Sequence, residues 1–236
     1  MNKTTHIKKL VTATLATVAL ALCAPAAHAT LILTLTDNVT LATVTIADNQ
    51  LGLDSDTATG SISYSGGIIG SSWSAFLTTG GSNAPGTSSI AFLDFSSIFL
   101  RNAGAGSLTL TLTDDGFTNP AGTNMGASTG IGGTTTGTVT AFSLFNGNSL
   151  INLGSFTAGA GNSFSGGGRS SVDTTNPNPF SLTNSVTVSY GPDGGQSTFA
   201  MNTSVPEPAT LGLLGLGLMG LGLVRRKFAR RQPTKV

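Results

Sequence analysis

Cysteine, histidine, tryptophan and glutamate are almost missing from this chain, and charge of either sign is thin. Its 236 residues hold one cysteine, two histidines, one tryptophan and one glutamate, and only 9% are Asp, Glu, Lys or Arg. Cys23, His6 and His28 all lie in the first 29 residues. The rest of the chain therefore has no disulfide, no His or Cys metal ligand, and no His or Cys nucleophile or general base. The one glutamate is Glu207, near the C-terminus, so a paired-carboxylate mechanism would have to rest on aspartates alone. No cofactor motif is present, and the composition reads as non-enzymatic. Lysine occurs only at the two ends. Between Thr30 and Val205 the cations are Arg101 and Arg169 against nine aspartates, a net −7 that the near-neutral whole-chain total conceals. That balance argues against nucleic acid or an anionic membrane surface as a partner of the middle region.

What is present begins with an export signal. Lys3, Lys8 and Lys9 precede an apolar stretch from Leu10 to Leu22, and Ala27-His28-Ala29 supplies a small-x-small site. Residues 1–29 thus read as a secretory signal peptide of the Sec route, cleaved after Ala29. A lipoprotein leader using Cys23 competes poorly, because Leu22 stands where such leaders place a small residue.

The C-terminal 32 residues are the most informative. Val205-Pro206-Glu207-Pro208-Ala209-Thr210 leads into an apolar run from Leu211 to Val224, and Arg225-Arg226-Lys227 follows. Fourteen residues make about 21 Å of helix at ~1.5 Å per residue, short against a hydrocarbon core of roughly 30 Å. Ala209, Thr210 and snorkelling arginines extend it toward a thin bilayer's thickness. The basic cluster places the extreme C-terminus in the cytoplasm, and Pro206 and Pro208 keep the segment just outside extended and accessible. The glycines of the run never fall four apart, so no GxxxG pairing face exists.

Pro-Glu-Pro, a short apolar helix and an Arg-rich end, in that order, resemble the PEP-CTERM sorting signal. That resemblance implies recognition by an exosortase, an integral-membrane cysteine transpeptidase of Gram-negative bacteria. It also implies a cut near Pro206-Glu207-Pro208, loss of the helix, and transfer of the new C-terminus to an acceptor or its release. The competing reading is an ordinary anchor that stays uncut. Residence would be transient at the inner membrane, then at the cell surface or outside the cell.

Residues 30–204 read as one β-rich extracellular domain. Leu108, Leu110 and Leu112 alternate with threonines, Val186, Val188 and Tyr190 do likewise, and Val39, Leu41 and Thr43 set up a similar face. Further strands are expected at Leu31 to Thr36, Ser61 to Ser65, Trp73 to Thr78, Ile90 to Phe95, Ile98 to Arg101, Val139 to Phe145, Ser149 to Phe156, Phe180 to Leu182 and Thr198 to Met201. Asp114-Asp115-Gly116, Asn146-Gly147-Asn148 and Pro192-Asp193-Gly194-Gly195 read as turns. Gly80 to Ser89, Asn119 to Gly137 and Gly159 to Pro179 read as long loops. The fold class is all-β, a β-sandwich or jelly roll, flanked by the signal peptide and a single short transmembrane helix. Leu33-Thr34-Leu35-Thr36-Asp37 recurs at Leu110 to Asp114, which reads as two similar strands. The stretch from Ser107 to Gly133, with Gly60 to Tyr64 and Trp73, also resembles an ectodomain type found on PEP-CTERM proteins, one that implies no assigned activity.

Candidate sites in the domain are few. Asp54-Ser55-Asp56 and Asp114-Asp115-Gly116 could offer hard oxygens to Ca²⁺, although aspartates at strand ends commonly cap turns, and neither run has EF-hand spacing. Trp73, with Tyr64 and Tyr190, could stack on sugar rings, or could simply be core. Arg169 follows Gly166-Gly167-Gly168 without the context of a phosphate loop. Asn38-Val39-Thr40 and Asn202-Thr203-Ser204 fit the glycosylation sequon. Two functions remain: a non-enzymatic surface, matrix or biofilm protein processed by an exosortase, or a carbohydrate-binding module or adhesin whose partner is extracellular polysaccharide.

Overall fold

The structure is a computed structural model, and it describes residues 31–206 apart from 71, 88, 158–161 and 177. Ala27, Ala29, Glu207, Pro208, Arg225, Arg226 and Lys227 lie outside the described residues. Among the described residues no helix is long and apolar enough to cross a membrane.

Twelve strands form two antiparallel sheets. They are β1 (Ile32–Asp37), β2 (Thr43–Ala47), β3 (Ser61–Ile69), β4 (Trp73–Ser82), β5 (Ile90–Asn102), β6 (Gly106–Phe117), β7 (Met125–Thr135), β8 (Thr138–Phe145), β9 (Asn148–Thr157), β10 (Ser163–Val172), β11 (Phe180–Tyr190) and β12 (Gly195–Pro206). The first sheet runs β2-β1-β6-β11-β8-β9 and the second β10-β7-β12-β5-β4-β3. Read side by side, five of the six facing pairs are sequence neighbours, β2 with β3, β6 with β5, β11 with β12, β8 with β7 and β9 with β10, while β1 stands level with β4. This is a jelly-roll-like sandwich.

Period-two alternation explains the core. Leu33 and Leu35 of β1 pair with Leu112 and Leu110 of β6, all fully buried, so the repeated Leu-Thr-Leu-Thr-Asp segments are antiparallel neighbours. Their threonines point to water. One outward row, Thr43, Thr36, Thr109, Thr187, Thr140 and Ser155, crosses all six strands, with Thr109 and Thr187 hydroxyls 2.9 Å apart. Between the sheets a polar chain joins them: Ser143 and Asn184 from one sheet meet Thr129 and Thr203 from the other, and all four are buried.

Several expected boundaries move. The segments Ile90 to Phe95 and Ile98 to Arg101 are one strand, because Ser97 at φ 54° is an inserted bulge residue that returns Ile98 to the core. Asp114-Asp115-Gly116 is no turn but lies within β6. Val39 and Leu41 sit in the β1–β2 turn and are exposed, so the strand face expected there begins only at Thr43. The loops expected over Asn119 to Gly137 and Gly159 to Pro179 contain β7 and β10, and the one expected from Gly80 begins after Ser82. Glycine in β10 serves packing: a Cβ at Gly166 would lie 2.4 Å from the Phe156 ring, and one at Gly168 2.5 Å from Ile151. There, and where Phe156 stacks on Phe164, β9 side chains close the sandwich edge over β10. The Asn146-Gly147 turn stands as read, both residues at positive φ between β8 and β9.

Strand directions place the two ends of the domain together. Pro206 pairs with Ile90 at the start of β5, Gly195 with Asn102 at its finish, and β6 returns from there toward Thr113, the partner of Ile32. Ile32 and Pro206 thus lie toward one end of the sandwich. The same end carries Asp48, Asp54, Asp56, Asp114, Asp115 and Asp173, on strand ends and loops that close it.

Candidate functional site

The residues that the sequence nominated are mostly committed to structure. Trp73 is 1% exposed and stacks on Tyr190, ring centroids 5.3 Å apart at 27°. Tyr64 is buried too, so the core reading of these rings replaces the sugar-stacking one. The Tyr190 hydroxyl donates to Ser197 Oγ at 2.8 Å, and burial pushes its pKa up to about 12.

The aspartate pairs act on backbone. Asp54 Oδ1 accepts the amides of Asp56 and Ser63, both at 2.9 Å, and its Oδ2 accepts the Asn49 amide at 2.9 Å. Asp56 accepts the Ala58 amide at 2.9 Å and the Ser61 hydroxyl at 2.7 Å, bonds that hold its carboxyl below the ordinary value. Asp48 Oδ2 takes the Gly60 amide at 2.8 Å. Three carboxylates therefore organise the β2–β3 loop. Asp114 is buried in β6, its carboxyl pushed up by loss of water, whereas Asp115 beside it is exposed. Among the described residues no group of three His, Cys, Asp or Glu could hold a metal ion.

A different surface gathers the free chemistry: the outward face of the second sheet. Alternation along β12 turns Gln196, Thr198, Ala200, Asn202 and Ser204 outward, and along β7 Ser128, Gly130, Gly132 and Thr134. Small side chains leave this face low. Its β4–β5 flank is aromatic: Phe76 and Phe99 are cross-strand partners with centroids 6.2 Å apart at 44°, and Phe76 is 47% exposed. Two residues along β5 stands Arg101, level with Gln196. Arg101, Asn102, Thr136, Asp193 and Gln196 line a cavity of about 480 Å³. Asn102 is 2% exposed, accepts the Ser72 hydroxyl, and its Nδ2 is a buried donor without a partner. A second cavity, about 510 Å³, is lined by Ser128, Gly130, Gly167, Arg169 and Asn202. Both arginines of the domain thus open onto one face, and neither is engaged by another side chain among the described residues.

Alternation in Trp73-Ser74-Ala75-Phe76 already separates the tryptophan from the phenylalanine, but not which of the two faces is buried. Nothing local in the sequence unites Arg101 with Arg169. The pairing of β12 with both β5 and β7 does so.

The C-terminus of the domain carries the second functional feature. Val205 is fully buried and Pro206 is the last residue of β12, still opposite Ile90, so the Pro-Glu-Pro sequence starts flush with the folded sandwich. The family model for the PEP-CTERM protein-sorting motif matches residues 204–227. The chain carries a PEP-CTERM sorting motif. That motif implies an exported protein processed by an exosortase. No curated protein matches the chain. Among solved structures, TmCBM61 in complex with β-1,4-galactotriose aligns at 12% identity over 58% of this chain and 90% of that one, with a TM-score of 0.32. A family 35 carbohydrate binding module from Clostridium thermocellum aligns at 15% identity over 61% and 90%, TM-score 0.29. The enzymatically active domain of Bacteriophage CBA120 tailspike protein 4 aligns at 17% identity over 55% and 19%, TM-score 0.32. At TM-scores near 0.3 none of these bears on what this chain binds.

Proposed function

We propose that this PEP-CTERM protein is a non-enzymatic surface or extracellular-matrix component, associated with biofilm or exopolysaccharide. It is exported by the Sec route, held at the inner membrane by its C-terminal run with Arg225 to Val236 in the cytoplasm, and released or transferred when an exosortase cuts near Pro206-Glu207-Pro208. The observation that carries this reading is the sorting motif beginning within β12. Removing everything after the motif leaves the sandwich entire, its core residue Val205 included. A non-catalytic domain is supported by what its side chains do: the described residues contain no His, Cys or Glu, and Asp37, Asp48, Asp54 and Asp56 bond loop amides or hydroxyls. The test is transfer of residues 204–236 to an inert exported reporter. In a host with an exosortase the reporter should lose the tail and leave the membrane; equal length with and without the enzyme rejects the reading.

A second reading, a carbohydrate-binding module or adhesin, is favoured by one observation: exposed Phe76 packs on Phe99 beside a cavity walled by Arg101, Asp193 and Gln196. Aromatic faces suit the apolar faces of sugar rings, and planar polar groups bond their hydroxyls. A glycan array read with and without Ca²⁺ tests it. Binding that Phe76→Ala abolishes while the protein stays folded supports this reading; an array blank in both conditions removes it.

A further inference from the structure

We propose that the outward face of the second sheet binds an acidic polysaccharide, laid diagonally from the Arg101 cavity to the Arg169 cavity with its carboxylates on the two arginines. This rests on the carbohydrate-binding reading above and names its ligand class.

Placement is the first argument. The domain has two cations for nine aspartates, and both cations project from this one face, whereas six aspartates gather at the end where Pro206 leaves. An arginine without a carboxylate partner is a donor fork presented to solvent, and the guanidinium is the group best shaped for bidentate capture of a carboxylate. Asp94, which shares the face, is occupied by the Ser96 hydroxyl.

The path between them is the second argument. Arg101 stands level with Gln196, and Arg169 is level with Ser128 and hence with Ser204, three strands away. With a rise of ~3.3 Å per residue and strands ~4.8 Å apart, the backbone positions of the two arginines are roughly 30 Å from one another, several sugar rings long. The diagonal crosses Thr198, Ala200, Gly132, Gly130 and Gly167, the lowest side chains of the sheet. A Cβ at Gly130 would already come within 3.3 Å of Asn202 Oδ1, so any larger residue there would fill the second cavity.

Charge then supplies selectivity. The face sets both arginines against two aspartates, Asp94 and Asp193, whereas the rest of the domain holds seven aspartates and no cation, so an acidic chain is favoured here over any other approach and its binding must weaken as salt screens the two arginines.

The experiment uses the full-length chain in mild detergent, with polygalacturonate and alginate as acidic probes and dextran and galactan as neutral ones. Affinity for an acidic probe should fall roughly fivefold to tenfold in Arg101→Gln and again in Arg169→Gln, and should fall with added salt. Arg→Lys at either position should recover part of it, keeping charge but losing the fork. Ala200→Glu, an exposed change on the floor of the path, should abolish acidic binding without unfolding, and stands in for any arginine variant that fails to fold. Acidic binding indifferent to all these substitutions overturns the proposal. Binding of the neutral probes alone overturns it while leaving the carbohydrate-binding reading in place, and no binding of any probe rejects both.

Discussion

Replacing Asn184 by alanine should destabilise the sandwich far more than any change on its threonine face. Asn184 is fully buried in β11; its Nδ2 donates to the Leu93 carbonyl at 3.1 Å and its Oδ1 accepts the Thr203 hydroxyl at 2.5 Å. The amide oxygen can only accept, which orders the protons along the chain. Thr203 gives its proton to Asn184, Thr129 gives to Thr203 at 2.9 Å, and Ser143 gives to Thr129 at 2.8 Å. Two bonds at about 1 kcal/mol each, plus about 1–3 kcal/mol for hydroxyl and carbonyl groups left dry and unpaired, give about 3–5 kcal/mol. For a domain of this size each kcal/mol lowers Tm by roughly 2–4 °C, so calorimetry should find a drop of about 6–20 °C. Thr187→Val, on the outward row of the same strand, should stay within about 0.5 kcal/mol. An Asn184→Ala loss under about 1 kcal/mol would refute the idea that this chain pins the two sheets.

Asp114 offers a prediction of opposite sign. Burial raises its pKa, so the fold favours the protonated acid, and the associated stability is present below the unfolded value and lost as pH rises through the folded one. Asp114→Asn should therefore stabilise the protein at pH 7 in urea titrations, with the gain vanishing below about pH 4. Tyr190 should behave similarly in alkali: with a folded pKa of about 12 against 10 unfolded, stability should decline between those values, and Tyr190→Phe should remove that part of the decline. Gly168→Val should force Ile151 aside from a 2.5 Å approach and lower the unfolding midpoint by an overpacking cost of about 1–3 kcal/mol, whereas Gly167→Val, facing outward, should not.

How far the sequence could be read depended on whether the signal was local. Leu-Thr alternation in β1 and β6, the Asn146-Gly147 turn and the Pro206-Glu207-Pro208 tail are each contained in a few adjacent residues, and each was legible. The strands β7 and β10 were not, because Gly126 to Gly133 and Gly166 to Gly168 look like loop composition; their glycines are demanded by neighbours from other parts of the chain, Phe156 and Ile151 among them. Ser97 hid the continuity of β5 by shifting the alternation by one residue. Trp73 drew attention as the single tryptophan, yet a large ring next to Tyr190 is most stable in the core. The candidate face escaped notice because its members, Phe76, Phe99, Arg101, Arg169 and Asn202, are far apart in sequence and meet only through the strand order.

The central claim, that the sorting motif directs removal of the tail from a finished sandwich, is met most directly by intact-mass measurement of the protein recovered from a cell that makes an exosortase. The predicted species begins at Thr30 and ends within or near Pro206-Glu207-Pro208, alone or joined to an acceptor, and only when the enzyme is present. A stable species that retains Arg225 to Val236 in that cell would contradict it.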